Sequence, residues 1–226
     1  MKFNKVVLWI NEFEDMKGFY SKLDYLIADD KDDNEFTVYM GYTQVVFKKA
    51  DDRFLAQYGK PYYHIAINIP ENTFAEVKKK ISSQISLIKE DNEDEVFFDF
   101  WNSHSFYFED PSGNIVEFIA RHNMKNQTDY PFSMKDLIGV SEVGIVSKNV
   151  PNAVKKLNEL GIPNFGESSE NFAPIGDEHG LFIVVHKGRE WFFSNGKEAV
   201  SYPVEGWIEN IGHITFTSGD DFVIHD

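Results

Sequence analysis

The feature that most restricts the fold of this chain is an internal repeat. Three times, an apolar strand leads directly into an amphipathic helix and then into further strands, and these first strands lie at 5–10, 63–69 and 140–146. Apolar residues recur at helical spacing after each first strand and alternate in the strands that follow. The pattern predicts an α+β chain of consecutive modules, and it is also compatible with a ferredoxin-like sandwich.

The third copy of the repeat is incomplete. The segments 204–209 and 213–217 alternate like strands, but no helix follows the second of them. A polar stretch around Pro131 has the composition of a linker. We therefore predict a domain of two modules over residues 1–122, a linker over 123–137 and a third, incomplete module over 138–226.

The composition indicates a folded protein whose metal ligands, if any, are nitrogen and oxygen atoms. Of the 226 residues, 42% are hydrophobic and 15% aromatic, which argues against disorder. The chain has no cysteine, so a metal would need His, Asp, Glu or water as ligands. The formal net charge of −15 would repel a phosphate backbone, so we expect no nucleic-acid partner.

The sequence carries no signal for export or for membrane insertion. Its N-terminal stretch is charged, and no apolar run approaches the roughly 20 residues that a spanning helix needs. We therefore expect a cytoplasmic protein that does not partner a membrane.

One turn motif favours a particular kind of module. Residues 110–114, Asp-Pro-Ser-Gly-Asn, have the composition of a tight turn between two strands. The run 106–118 around them resembles the end of a βαβββ module in the vicinal oxygen chelate superfamily, which includes glyoxalases, bleomycin-resistance proteins and extradiol dioxygenases. The resemblance implies tandem βαβββ modules, two of them complete and a third partial.

Within this superfamily, the chain is most similar to members described as ring-cleaving dioxygenase-like. The similarity is carried by short segments along most of the chain, at residues 63–64 with 68–72, and at 101–105, 119–122, 141–144 and 176–182. It implies a metal-binding Glu on the fourth strand of the second module and a His at the start of that module's first strand.

The residues at those two positions are Glu117 and His64. If residues 110–113 form the turn, counting back along the hairpin pairs Phe106 with Glu117 and places His104 diagonal to Glu117 on one face. A shift of one residue in this register would send the two side chains to opposite faces. His64, His104 and Glu117 are therefore the candidate ligands of a divalent Fe, Mn, Ni, Co or Zn ion, as in a facial-triad site.

The first module departs from the superfamily pattern. Where a further His and a fourth-strand ligand are expected, the chain has Lys5 and Phe47. The missing ligand would be His104, Glu142 from the third copy, or water. If none of these fills the place, the two ligand-like residues of the second module are remnants in a metal-free pocket.

Two residues are candidates for a catalytic role. The imidazole of His104 titrates near neutral pH and could serve as a general acid or base. Tyr63, with Trp101 and Tyr107, could line a pocket for a planar ligand. Structural alternatives exist as well: without the resemblance, a lone His at the start of a strand, such as His64, is commonly a hydrogen-bonded structural residue, and half-buried aromatic residues are common in strands.

The resemblance implies a metal-dependent enzyme that acts on a small oxygenated or aromatic molecule. Its reaction would be extradiol-dioxygenase-like, hence an oxidoreductase, or glyoxalase-like, and the sequence does not choose between them. The alternative is a metal-free protein that binds or sequesters a small molecule, as bleomycin-resistance proteins do, and the charge of −15 would suit a cationic ligand. The resemblance also allows a homodimer, because modules of this superfamily associate through their sheets.

Overall fold

Two mixed sheets of seven strands each form the protein. The computed structural model describes residues 1–29, 33–217 and 221–225. The strands are β1 (Phe3–Ile10), β2 (Leu26–Asp29), β3 (Glu35–Met40), β4 (Thr43–Lys49), β5 (His64–Ile69), β6 (Val96–Phe98), β7 (Ser103–Glu109), β8 (Ile115–Arg121), β9 (Gly139–Ser147), β10 (Phe172–Asp177), β11 (Gly180–His186), β12 (Val204–Ile208), β13 (Gly212–Phe216) and β14 (Phe222–His225). The helices are α1 (Phe13–Lys22), α2 (Asp52–Tyr58), α3 (Phe74–Ser82) and α4 (Val150–Glu159). No helix in the described ranges is both long and apolar enough to cross a bilayer.

The predicted fold class, α+β with βαβββ modules, is confirmed. β1, α1 and β2 to β4 form one complete module, and β5, α3 and β6 to β8 form a second. In both modules the first strand pairs in parallel with the fourth. The third module, made of β9, α4, β10 and β11, lacks one strand and is therefore partial, as predicted.

The modules pair in a way that the sequence analysis did not anticipate. The first sheet has the order β14-β13-β12-β1-β4-β3-β2, and the second has the order β10-β11-β9-β5-β8-β7-β6. The second and third modules share the second sheet, because β5 lies antiparallel to β9. The first module pairs instead with β12, the start of a C-terminal meander. Each sheet thus combines strands from either side of residues 123–137, and the division of the chain there stays a prediction.

Local sequence explains the elements at the centre of the second sheet. β5 is buried along its whole length, as expected for a strand that is covered on both faces. α4 is capped at its start by Asn149, whose side chain accepts a hydrogen bond from the backbone amide of Asn152 at 3.0 Å. Pro151 lies in its first turn and Gly161, with a φ of +82°, follows its end. Asn, Pro and Gly at these places are common start and stop signals of a helix.

The hydrophobic core has two parts. The larger part joins buried side chains of both sheets with those of α1, α3 and α4. The smaller part lies on one face of the second sheet, where the segment 187–203 covers the strands. Phe193 of this covering segment stacks on Tyr107 of β7, with their ring centres 4.9 Å apart. The covering segment thereby closes off the face of the sheet that carries the candidate site.

Candidate metal centre

Three ionisable side chains meet on the covered face of the second sheet. His64 begins β5, while Glu117 in β8 and Glu142 in β9 lie on the two strands that flank β5. His64 Nε2 lies 3.5 Å from Glu142 Oε2 and 3.6 Å from Glu117 Oε2, and all three residues are buried. Over the described parts of the chain, no other group of three His, Asp or Glu residues brings its ligand atoms this close together.

The donor set of this cluster fits a divalent metal. One imidazole and two carboxylates are nitrogen and oxygen ligands of the kind that Fe, Mn, Co, Ni and Zn accept. Glu117 Oε1 is buried, and no described residue donates a hydrogen bond to it. A buried carboxylate oxygen without a partner is costly. A cation held by the three side chains would satisfy this oxygen and balance the two negative charges.

Arg121 at the end of β8 holds Glu142 in its charged form. The Arg121 side chain is fully buried and donates from Nη2 to Glu142 Oε1 at 2.5 Å and from Nε to Ser141 Oγ at 3.1 Å. Burial alone would raise the pKa of Glu142. The hydrogen bond with His64 and the charge of Arg121 outweigh burial and lower this pKa.

The other two members of the cluster retain protons more readily. Burial, reinforced by the negative charge of Glu142, raises the pKa of Glu117 to about 7. Burial also disfavours a charged His64, but the hydrogen bond to Glu142 and the charges of both carboxylates outweigh it and raise the His64 pKa. The cluster thus holds protons near neutral pH, and a metal would have to displace them on binding.

The cluster lies in the wall of a cavity of about 220 Å³. Most of the remaining wall is aromatic, formed by Phe98, Trp101, Tyr107, Phe172, Trp191 and Phe192. Since a cavity of roughly 150 Å³ accommodates benzene, the cavity has room for a molecule of one or two rings. Arg189 adds a further charged group to the wall.

Tyr107 carries a hydroxyl group beside the cluster, because it lies directly opposite Glu117 in the β7–β8 hairpin. Burial, followed by the charges of Glu117 and Glu142, raises the pKa of Tyr107 well above its usual value. Tyr107 therefore keeps its proton at neutral pH, so it can donate a hydrogen bond but cannot act as a base.

The position on β11 from which a fourth protein ligand would come holds an apolar residue. β11 pairs with β9 in the same parallel fashion as β8 pairs with β5. Following the two registers, Ile183 occupies in the third module the place that Glu117 occupies in the second. Ile183 lines the cavity and cannot bind a metal. The cluster therefore offers three ligands and leaves room for water or a small molecule on the cavity side.

The predicted register of the β7–β8 hairpin was wrong by one residue. The turn closes at Asp110, whose backbone amide donates to the carbonyl of Asn114 at 3.2 Å. Tyr107 therefore lies opposite Glu117, where the sequence analysis placed Phe106. Because side chains alternate between the two faces of a strand, this shift reverses the face on which each β7 residue lies relative to Glu117.

His104 consequently lies on the opposite face from Glu117 and does not join the cluster. Its ring is 5.2 Å from that of Phe74 in α3, and its Nδ1 lies 2.8 Å from Nε2 of His122. Burial, followed by the charge of His122, lowers the pKa of His104. Of the three alternatives for the missing ligand, His104, Glu142 and water, Glu142 is the residue that lies beside His64 and Glu117.

Tyr63 also lies away from the cavity. Its hydroxyl donates to the carbonyl of Pro203 at 2.9 Å and accepts from the backbone amide of Trp9 at 3.3 Å. Trp9 belongs to β1, and Pro203 immediately precedes β12, so both partners lie at the first sheet. In the structure the Tyr63 hydroxyl connects the two sheets, and a catalytic role for this residue stays a prediction from the sequence.

None of the described residues of the first module joins the cluster. Lys5 lies with its ammonium 4.6 Å from the ring centre of Trp207, and Phe47 is buried in the larger core. Lys5 pairs with Gln44, so the fourth-strand place in this module is held by Val46, two residues further on, and not by Phe47.

Sequence reasoning missed two arginines and the covering segment. Arg121 and Arg189 were not singled out because single charges in a strand and a loop carry no spacing signal. The run Trp191-Phe192-Phe193 could have indicated the cover, since three successive aromatic residues outside a strand pattern need a surface to pack on.

The family model of the toxoflavin-degrading enzyme matches residues 140–189 of this chain. The matched region runs from β9 into the covering segment, and it contains both Glu142 and Arg189. A search of curated proteins finds no significant match to the sequence.

Several solved structures are similar over most of the chain. A dioxygenase-like protein from Bacillus subtilis has a TM-score of 0.56 at 12% identity, with 97% of this chain and 85% of that chain covered. A glyoxalase I variant from Zea mays has a TM-score of 0.52 at 12% identity, covering 99% of this chain and 88% of that chain. A second glyoxalase I variant from Zea mays has a TM-score of 0.51 at 13% identity, covering 82% and 68%. At these identities the similarity shows a shared fold and nothing further.

Proposed function

The chain has the fold of the vicinal oxygen chelate superfamily, and from this premise we propose that it is a metal-dependent enzyme acting on a small, flat, oxygen-bearing molecule. The observation that carries the proposal is the buried cluster of His64, Glu117 and Glu142 in the wall of an aromatic cavity. Buried carboxylates are retained where a metal, an ion pair or a substrate compensates them.

Each part of the site has a role in this proposal. A divalent metal held by the cluster would act as a Lewis acid toward the oxygen atoms of the substrate. Arg121 fixes Glu142 in position and keeps it ionised. Tyr107 donates a hydrogen bond to a substrate oxygen, because its proton is firmly held. The aromatic walls orient a ring and exclude water from it.

Of the two reaction classes, dioxygenase-like and glyoxalase-like, the lining of the cavity favours the first, in which the substrate is an aromatic ring. Six aromatic side chains surround the space beside the cluster, which suits an aromatic guest better than a short aliphatic one. The match to the toxoflavin-degrading enzyme across Glu142 supports a degradative reaction. We therefore favour a dioxygenase-like oxidoreductase that uses Fe(II) or Mn(II). Its cytoplasmic location and its assembly as a homodimer stay predictions from the sequence.

Metal analysis of protein purified without chelators tests this function. We expect about one divalent ion per chain in the wild type and loss of that ion in His64→Ala and Glu117→Gln, because each change removes one of only three ligands. His104→Ala is the matched control, since it removes an imidazole from the opposite face of the same sheet. A substoichiometric metal content that is the same in the wild type and in His64→Ala would overturn the proposal of a metalloenzyme.

A second candidate, metal-free binding or sequestration of a small molecule, is favoured by one observation. When His64 is protonated, its charge and that of Arg121 balance the two carboxylates. In that case the purified protein would hold no stoichiometric metal, and chelators would leave ligand binding unchanged. The same metal analysis therefore separates the two functions.

A further inference from the structure

Arg189 lines the cavity without an acidic partner. It lies in the covering segment, where its backbone amide donates to the His186 carbonyl at 3.0 Å and its carbonyl accepts from Ala199 at 2.7 Å. The guanidinium carbon lies 5.2 Å from the ring centre of Phe172. Within the described ranges, no carboxylate pairs with this guanidinium, which packs against the ring of Phe172.

The lack of an acidic partner distinguishes Arg189 from Arg121 beside the cluster and from Lys197 in the same covering segment. Arg121 pairs with Glu142, and Lys197 pairs with Glu109 at 2.8 Å. Arg189, in contrast, is half-buried against aromatic rings, and this burial lowers its pKa. Arginine nevertheless stays charged in proteins, so a partly desolvated positive charge faces the cavity.

The net charge around the cavity, with a divalent metal bound to the cluster, also favours an anionic guest. Glu117 and Glu142 together would neutralise a divalent metal. The positive charges of Arg189 in the cavity wall and of Arg121, buried beside the cluster, would then exceed the remaining negative charge there, although the whole molecule carries a net charge of −15. A cavity with this local charge attracts an anionic guest and disfavours a cationic one.

We propose that Arg189 is a specificity-determining residue that pairs with a carboxylate on an aromatic substrate. The proposal rests on the metal-dependent function above and narrows its substrate class to aromatic carboxylates. The planar guanidinium, supported by the face of Phe172, presents two parallel N–H groups to the two oxygens of a carboxylate. The ring of the same molecule lies among the aromatic side chains, and its adjacent oxygens face the cluster.

A matched pair of probes tests this assignment. 3,4-Dihydroxybenzoate and 3,4-dihydroxybenzamide share a ring and two adjacent hydroxyl groups and differ in the charge of one substituent. Their binding to Mn(II)-loaded protein without oxygen can be followed through the fluorescence of Trp101 and Trp191, which line the cavity. We expect the wild type to bind the carboxylate about tenfold more tightly than the amide, as a charge-assisted hydrogen bond predicts.

The variants then assign that preference to Arg189. Arg189→Met should bind the two probes with equal affinity, with its affinity for the amide close to that of the wild type. Arg189→Lys should recover part of the preference because it keeps the charge without the planar fork. Arg53→Met removes an exposed arginine in α2 and is the control for the loss of one positive charge. It should keep the full preference for the carboxylate over the amide.

Benzoate and benzamide, titrated into metal-free protein, separate this proposal from the proposed function, because neither probe has adjacent oxygens to chelate a metal. A preference for benzoate that Arg189→Met abolishes supports the role of Arg189 even if the metal analysis fails. Equal binding of the charged and neutral probes by the wild type, absence of binding, or a preference that persists in Arg189→Met would overturn it. The metal analysis would be unaffected by that outcome.

Discussion

The ion pair of Arg121 with Glu142 is buried directly beside the candidate metal centre. We expect Arg121→Met to lower the free energy of unfolding of the metal-free protein by about 3–5 kcal/mol, the usual cost of leaving one partner of a buried pair uncompensated. The same change should weaken metal binding, because Glu142 would then take up a proton more easily. Urea unfolding and metal titration measure the two effects.

A double variant tests whether this cost arises from the pair. Glu142→Gln removes the charge that Arg121 compensates, so the combination of Glu142→Gln with Arg121→Met should cost clearly less than the two single changes added together. Strictly additive costs would contradict the pairing and would assign the loss to packing of the Arg121 side chain.

At the scale of single residues, the sequence predicted those members of the site that belong to a recurrent motif. His64 and Glu117 were identified from their places in a resembling module, and the structure brings them within 3.6 Å of each other. Glu142 remained one of three alternatives because its proximity depends on how β9 pairs with β5. Arg189 was beyond prediction, since its position follows from a covering segment that has no repeating pattern.

At the scale of elements, the positions of the strands were predicted more accurately than the register in which they pair. The hairpin at residues 110–114 was predicted as a turn, yet its composition permits closure at either of two neighbouring pairs. Four hydrogen bonds accepted by the Asp110 side chain, from Ser112, from Tyr20 and twice from Asn114, accompany the observed closure. The short helix α2 was missed because seven residues are too few to show helical periodicity.

The turn residue Asp110 should make stability depend on pH. Burial outweighs its hydrogen bonds and raises the pKa of Asp110 from 3.8 to about 6. The folded state therefore binds this proton more tightly than the unfolded state. The contribution is complete below pH 3.8 and is lost as the pH rises to about 6. Over this window we expect the free energy of unfolding to fall by up to about 3 kcal/mol from Asp110 alone.

Asp110→Asn isolates this effect because it removes the titrating group and keeps the size of the side chain. Urea unfolding of both proteins at pH 4, 5, 6 and 7 should show a steeper decline in the wild type than in the variant. Glu117 titrates in both proteins, so its contribution to the pH dependence of the free energy of unfolding cancels in the comparison. Parallel pH profiles would show that Asp110 has an unshifted pKa.

At the scale of the whole molecule, the sequence predicted the number and kind of modules but not their partners. Each copy of the repeat has a first strand that can pair with the first strand of another copy, and periodicity alone does not distinguish among them. The first and second modules were expected to form one domain. Instead β5 pairs with β9, so the metal cluster draws ligands from the second and third modules.

The two sheets are joined by the hydroxyl of Tyr63, and its removal should weaken the whole molecule without changing the site. Tyr63→Phe leaves the Pro203 carbonyl and the Trp9 amide without this partner, which should cost about 1–3 kcal/mol. We expect urea to unfold the variant in a single transition at lower concentration, with unchanged metal content. Tyr39→Phe in β3 is the control and should unfold like the wild type, because no described residue hydrogen-bonds its hydroxyl. If Tyr63→Phe kept full stability but lost metal, Tyr63 would belong to the site after all, and the connection between the sheets would have to lie elsewhere.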